Sequence, residues 1–313
     1  MSFFGWGQDT GSTELLGTIR MNEMKIAVVI ASLGRPDAIA DLLELLDAQS
    51  RKPDHIVLSV TTEADLPAGS QDQDLDVVFG EKGLPRQRNR GMELVLADYD
   101  LLVFFDDDYI PSKTAIEGIV DFFKAHGDIV GINGVLLADG INSPGISSKD
   151  AKALVRQHDN GPRPPATVLK EKQGLYGCNM AYRISAIGAV RFDEQLPLYA
   201  WQEDIDFANQ LLPQGRLVDS SAFYGVHRGA KGARTSGVKL GYSQIANPVY
   251  LLRKGTIPRR LAYRIMTRNF IANLVKTLKP EPWIDRWGRV KGNWLALRHL
   301  FLGKLSPDHI LKI

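Results

Sequence analysis

Residues Leu101 to Pro111 read L-L-V-F-F-D-D-D-Y-I-P, an apolar run that breaks into three carboxylates, Asp106, Asp107 and Asp108. Hard divalent cations take oxygen ligands, and acids gathered at the end of a buried strand can hold one against a phosphorylated substrate. The triplet also fits an acidic turn, because aspartate favours turns and helix starts. A second acidic site lies in Y-A-W-Q-E-D-I-D-F, residues 199 to 207, where Glu203 and Asp204 precede an apolar-periodic stretch. Acids suit a helix N-terminus, and one of this pair facing a cleft could deprotonate an attacking hydroxyl as a general base. Trp201 beside them offers either a flat face of the kind on which sugar rings stack or a piece of core.

Positioning such acids requires strands that end where they begin. Lys25 to Ser32, K-I-A-V-V-I-A-S, is a continuous apolar run of the kind buried on both faces of a parallel sheet. Leu33-Gly34-Arg35-Pro36 breaks it, and Asp37 is expected to cap a helix in which Ile39, Leu42, Leu43, Leu45 and Leu46 keep helical spacing to Gln49. Further strands are expected at 55–60, 76–79, 100–105 and 129–132, and helices at 86–97 and 113–125. This alternation predicts an open α/β sheet with its ligands at the carboxyl ends of the strands. Residues 139–173, rich in Gly, Pro and Ser, read as a mobile loop, and Ser185 to Val190 as part of a helix. There is no internal repeat.

A chain of 313 residues that is 44% hydrophobic can bury one large domain and an appendage. Cys178 is the single cysteine, which excludes an intrachain disulfide, a thiolate zinc site and an iron–sulfur cluster, and fits a reducing compartment. The N-terminus lacks the basic stretch and apolar core of a signal peptide, so residues 1–23 read as a loose leader. No apolar stretch approaches the roughly 18 to 20 residues of a membrane-spanning helix. The net charge of +2 hides an asymmetry: residues 225–313 hold 18 of the 38 Lys and Arg but 3 of the 36 Asp and Glu. Such a split suggests an acidic, metal-using body and a basic tail that meets phosphate-rich partners. In the tail, Leu261, Ile265, Phe270, Leu274 and Leu278 lie roughly along one helical stripe, with Arg260, Arg264, Arg268 and Lys276 largely off it and Trp283, Trp287 and Trp294 following. Basic amphipathic helices with tryptophans lie on anionic membranes, whereas a helical pair packed on the body is the alternative.

Four ordered elements carry a resemblance: V-V-I-A-S-L-G-R-P at 28–36, G-L-P-R-Q-R-N-R-G-M at 83–92, the F-F-D-D-D-Y-I-P acids, and the W-Q-E-D-I-D-F box. Over roughly residues 24 to 230 the chain resembles the family 2 glycosyltransferases. The resemblance implies a GT-A fold, a mixed α/β sheet flanked by helices, in a catalytic domain at 24–235 followed by a basic helical region at 236–313. It implies inverting transfer from a nucleotide-diphosphate sugar with Mn²⁺ or Mg²⁺. Carried over residue by residue, Ala31, Ser32 and Leu33 would border the nucleoside, with Arg35, Thr61, Arg88, Asn89 and Asp107 near the donor. Asp106 would lie near the ribose and the metal, and Asp108 would bind the metal directly. Asp204 would be the base, and Glu203 with Trp201 would position the acceptor. His227, in G-V-H-R-G-A-K-G-A-R, stands where many relatives supply a histidine to the metal, and Arg228, Lys231 and Arg234 resemble a flap over the diphosphate.

One departure concerns the second strand, which ends in L-S-V-T-T-E-A-D where relatives commonly place an acid that reads the base. Thr61 or Thr62 substitutes, or Glu63 comes forward, and the nucleobase stays open. The expected partners are a nucleotide sugar, a glycan or polyprenyl-linked acceptor of bacterial surface polysaccharide assembly, and an anionic membrane surface, with no nucleic acid. The expected location is the cytoplasm, peripheral on the inner face of the cell membrane. Two other classes compete. A metal-dependent nucleotidyltransferase would need a basic triphosphate loop early in the chain, where only Arg35 is available, and a non-catalytic membrane- or nucleic-acid-binding module would leave the acids structural.

Overall fold

The computed structural model describes residues 23–69, 75–230 and 236–313. Along the chain the elements are β1 (Ile26–Ala31), α1 (Pro36–Asp47), β2 (His55–Val60), β3 (Asp76–Phe79), α2 (Leu84–Glu93), β4 (Leu101–Asp106), β5 (Tyr109–Pro111), α3 (Ala115–Ala125) and β6 (Ile129–Asp139). There follow α4 (Ser148–Asp159), β7 (Val168–Glu171), β8 (Asn179–Arg183), α5 (Ile184–Ile187), α6 (Glu203–Gln210), β9 (Arg216–His227), α7 (Gly237–Lys254), α8 (Arg259–Lys276) and α9 (Arg286–Phe301).

The strands form one mixed sheet in the order β3-β2-β1-β4-β8-β6-β9-β5, with β7 pairing β9. β1 runs parallel to both β2 and β4, so the chain leaves it in opposite directions, the switch point at which open α/β sheets bind ligands. Ala31 is paired with Asp106 in that register, which brings the end of the first apolar run to the start of the acidic triplet. Alternation along β1 sends Ile26, Val28 and Ile30 to a core under α1 and α3, and Ala27 and Val29 to a second core under α2 and α6. Each fully buried valine or isoleucine contributes about 1.5–3 kcal/mol, so both faces anchor the strand ends.

Several expectations need correction. α1 is capped at Arg35, not at Asp37: Pro36 takes a first-turn position and Asp37 lies inside the first turn, where the helix dipole favours it. The strand expected at 129–132 continues to Asp139, through register shifts that keep it paired with β9. Residues 139–173 are not one loop, since they contain α4, capped by the Ser147 side chain on the Asp150 N–H and burying Ala151 and Val155, and then β7. The helix expected at 185–190 is the four-residue α5, and the helix expected at 86–97 is Leu84–Glu93. The leader, apart from Glu23, lies outside the described residues.

The basic tail packs on the body. Leu251, Ile257 and Ala262 share a core with Leu196 and Ala200, just before α6. Lys254 bridges Asp193 at 2.6 Å and the fully buried Asp206 at 2.7 Å. A buried polar network joins the three tail helices: Asn273 donates to Gln244 and Asn293, accepts from Arg286, and Asn293 donates to the Gly241 carbonyl. Along the expected stripe Leu261, Ile265 and Phe270 are half-buried, whereas Leu274 and Leu278 of α8 and its continuation are 49% and 89% exposed.

Candidate active site

The acidic triplet separates by environment. Asp107 is fully buried, accepting from the Ser32 hydroxyl and pairing with Arg35 at 2.8 Å. Burial, aided by Asp108 and Asp106, pushes its carboxyl up to about 7 against the pull of Arg35 and Ser32. Asp107 thus ties the end of β1 to the triplet. Asp106 and Asp108 instead meet His227, and one ligand atom from each lies within 4.8 Å of the others. Two carboxylate oxygens and an imidazole suit Mn²⁺ or Mg²⁺ better than a soft metal, so the residues fit the cation.

β9 delivers His227 from across the sheet, paired in register with Tyr109 and with Asp139. The His227 Nδ1 lies 2.8 Å from the Asp139 carboxylate and 3.3 Å from the Tyr176 hydroxyl, while Nε2 faces Asp108 at 3.5 Å. An ionised Asp139 keeps the proton on Nδ1 and leaves Nε2 for a ligand, as carboxylates commonly do behind metal-binding histidines. Burial alone would lower the His227 pKa, but Asp139, Asp108 and Asp106 together raise it. The sequence alone does not mark Asp139 or Tyr176 as part of the site. Asp139 sat at the start of an A-D-G-I-N stretch that reads as a turn.

Arg88 is the strut between the acidic sites. Its guanidinium, 2% exposed, pairs with Glu203 and with Asp106 at 2.9 Å and donates to the Gly177 carbonyl at 2.9 Å. Phe104 and Phe192 lie against it at 5.8 and 5.4 Å. Glu203 is therefore spoken for inside the protein; burial and Asp204 raise its pKa and Arg88 opposes them. Asp204 at the start of α6 is half-buried, and its carboxylate accepts from the Gly177 N–H and the Ile205 N–H, both at 2.8 Å. Burial raises the Asp204 pKa, with Arg88 and the two amides pulling against it. A carboxylate so held can face a groove as a base.

The loop before α6 is strained, with Leu198, Ala200 and Gln202 at φ of 60°, 50° and 79°. Such conformations cost about 1–3 kcal/mol each in non-glycine residues and persist where neighbours enforce them. Here the Leu198 carbonyl accepts from the Leu84 N–H at 2.9 Å, and the Trp201 carbonyl accepts from the Asn247 side chain of α7 at 2.8 Å. Trp201 and Tyr199 thereby line a groove of about 1260 Å³ that also takes in Asp106, His227 and Asp204.

The remaining sequence-derived candidates fall as follows. Arg35 sits on Asp107 and on Asp108, the latter at 3.3 Å, while the Ala230 N–H donates to Asp108 at 2.7 Å. Thr61 gives its hydroxyl to Asp65, which also accepts from the Thr61, Thr62 and Gly34 amides, so the buried acid after the second strand is Asp65 and not Glu63. Leu33 is 39% exposed beside this turn. Asn89 turns away from the acids, bonding the Phe192 backbone and Glu194. The Arg228 side chain points to Asp41 and the Ile146 carbonyl, and only its backbone N–H reaches the Asp108 carbonyl, at 3.1 Å. Lys231 and Arg234 lie outside the described residues.

Residues 27–191 match the family model for glycosyl transferase family 2. Over 170 residues the chain is 25% identical to the glucosyl-dolichyl phosphate glucuronosyltransferase of Haloferax volcanii, a match covering 51% of this chain and 53% of that protein. The chain thus spans about half the length of that curated relative. Among solved structures, S. aureus TarS 1-349 superposes with a TM-score of 0.55 at 16% identity, covering 92% of this chain and 82% of TarS 1-349. Its complexes with UDP and with UDP-GlcNAc give TM-scores of 0.51 and 0.53, each at 16% identity and 92% of this chain, covering 90% and 83% of the TarS chains. At that identity the likeness is one of fold, and the fold is GT-A. The family match spans more than half of the chain and takes in the strut arginine and the acidic triplet: the protein belongs to glycosyl transferase family 2.

Proposed function

We propose that this glycosyltransferase moves a sugar from a nucleotide-diphosphate sugar to a hydroxyl of a glycan or lipid-linked acceptor, inverting the anomeric carbon, with Mn²⁺ or Mg²⁺ as cofactor. The observation that carries the proposal is a single groove lined both by Asp106 and His227, which cluster with Asp108, and by Asp204. Asp106, Asp108 and His227 would hold the cation, which supplies positive charge to the departing diphosphate. Asp204 takes the proton of the acceptor hydroxyl as that oxygen attacks; Arg88, through Glu203 and Gly177, keeps the base in place. Ala31 and Ser32, at the switch point beside the triplet, border the nucleoside. The UDP and UDP-GlcNAc held by TarS support a nucleotide-sugar donor, and the name of the Haloferax relative supports a lipid-linked acceptor.

The test is Mn²⁺-dependent release of nucleoside diphosphate from a panel of nucleotide sugars. Release should vanish in Asp108→Ala, and transfer should fall about 10²–10⁴-fold in Asp204→Asn, the contribution usual for a general base. Release from no member of the panel overturns the reading.

The tail supports a place at the inner face of the cell membrane, in surface polysaccharide assembly. No helix of the described residues is long and apolar enough to cross a membrane. Val275, Trp287, Trp294 and Phe301 nonetheless stand 59%, 61%, 58% and 92% exposed among Lys276, Lys279, Lys291 and Arg298. Apolar side chains set among bases match an anionic lipid surface. Flotation with phosphatidylglycerol vesicles at low salt should carry the protein upward; a protein left in the soluble fraction refutes the membrane assignment.

A further inference from the structure

We infer that Arg264 and Arg268 form a subsite for a phosphate-type anion carried by the acceptor, an inference that rests on the transferase reading and names the acceptor's chemistry. The two arginines lie four residues apart on α8, hence on one helix face, and both line the groove that contains Asp204 and Trp201. The ends of β1 and β2, where the donor nucleoside is placed, do not line that groove, so α8 forms its acceptor side.

Charge decides what this wall can attract. The groove is otherwise lined by Asp106, Asp139, Glu171, Glu203 and Asp204, which repel an anion. Its deep and intermediate bases are occupied, Arg88 by Asp106 and Glu203, and Lys172 by Asp219 at 3.1 Å. Arg264 and Arg268 are exposed and have no acidic partner among the described residues. A pair of free guanidinium forks favours a phosphate, whose oxygens accept paired N–H bonds. Lys170, the other base of the lining without an acidic partner among the described residues, stands on β7, which pairs β9 at the side of the sheet.

The pair is also held in place. Leu261 and Ala262 pack with Leu196 and Ala200, beside the strained loop that carries Trp201, and Asn273 anchors the far end of α8. The anion is thereby fixed relative to the base, as positioning a hydroxyl for attack requires.

Titration calorimetry of the full chain with octyl phosphate and octyl β-glucoside, both below micellar concentration, tests the assignment. Wild type should bind the phosphate tenfold or more tightly than the glucoside, and inorganic phosphate should displace it. Arg264→Ala/Arg268→Ala should abolish the preference, Arg264→Lys/Arg268→Lys should keep part of it, and Lys170→Ala should keep all of it. Absence of preference in wild type, its retention in the double alanine variant, or failure of inorganic phosphate to compete overturns the subsite. So does a double alanine variant that loses phosphatidylglycerol vesicles but keeps the octyl phosphate preference, which would make the arginines membrane contacts. An unchanged circular dichroism spectrum and the lysine variant guard against loss by misfolding. Nucleoside diphosphate release from the donor panel is read separately: release without phosphate selectivity removes this inference and leaves the transferase.

Discussion

Asp204 and Asp65 respond to burial with opposite outcomes, and pH separates them. Burial dominates at Asp204 and raises its pKa above 3.8. A base must be ionised, so transfer should rise with pH through that raised value, and an acid limb at or below pH 3.8 would count against Asp204 as the base. At Asp65 burial alone would raise the carboxyl, but the Thr61 hydroxyl and the Thr62, Gly34 and Thr61 amides bring it below its ordinary 3.8. A folded pKa below the unfolded one stabilises above the unfolded value, and that contribution is lost as pH falls through the folded one. Asp65→Asn should therefore cost about 1–3 kcal/mol at neutral pH and flatten the acid end of the stability curve, and an unchanged Tm at pH 7 would contradict this. Arg88 gives a harsher case, since Arg88→Met strands Glu203 and Asp106 without their cation. Breaking a buried pair in this way costs about 3–5 kcal/mol, to be read from denaturant midpoints. The acids were legible in sequence because they cluster against apolar runs. Asp65 and Asp139 were not, because a lone acid in a turn looks the same whether it gathers amides or faces water.

The histidine and its supporting carboxylate meet because two strands end side by side, and their turns cross at glycines. A Cβ added at Gly140 would stand 1.9 Å from the Arg228 carbonyl oxygen, and Gly229 beside it has φ +63°. Backbone cannot yield as a flexible side chain can, so Gly140→Ala should part β6 from β9 at the Asp139–His227 pair. The expected result is a 10–100-fold loss of Mn²⁺ affinity, the range seen when such outer partners are removed, measured by metal titration; unchanged affinity would show that Asp139 does not support the site. β1 to β4 were legible because each is nearly continuous apolar sequence. β9 was not, since R-L-V-D-S-S-A-F-Y-G-V-H mixes polar residues into the strand and its partners are distant in sequence. α4 carries little sequence signal because only Ala151 and Val155 of it are buried, between flanks rich in loop residues.

Charge divides the chain into an acidic body and a basic tail, but packing joins them. Tail residues hold the loop before α6 and α6 itself: Asn247 donates to the Trp201 carbonyl, the Thr256 carbonyl accepts from Asn209, and Lys254 pairs with Asp206, which is fully buried. Trp283 reaches the Asn142 carbonyl at 3.4 Å, next to the turn that supports His227. A tail that only met a membrane would bury none of these groups, so body and tail should unfold together. Far-ultraviolet circular dichroism and tryptophan fluorescence, three of whose five reporters are Trp283, Trp287 and Trp294, should give coincident denaturant transitions. Lys254→Ala sharpens the test. Removing the ammonium leaves the Asp206 carboxylate buried without its counter-ion, at a cost of about 3–5 kcal/mol. If the two parts are coupled, both probes should shift by the same amount; if the fluorescence transition separates from the dichroism transition, the tail folds on its own and the loop before Asp204 is held by the body alone.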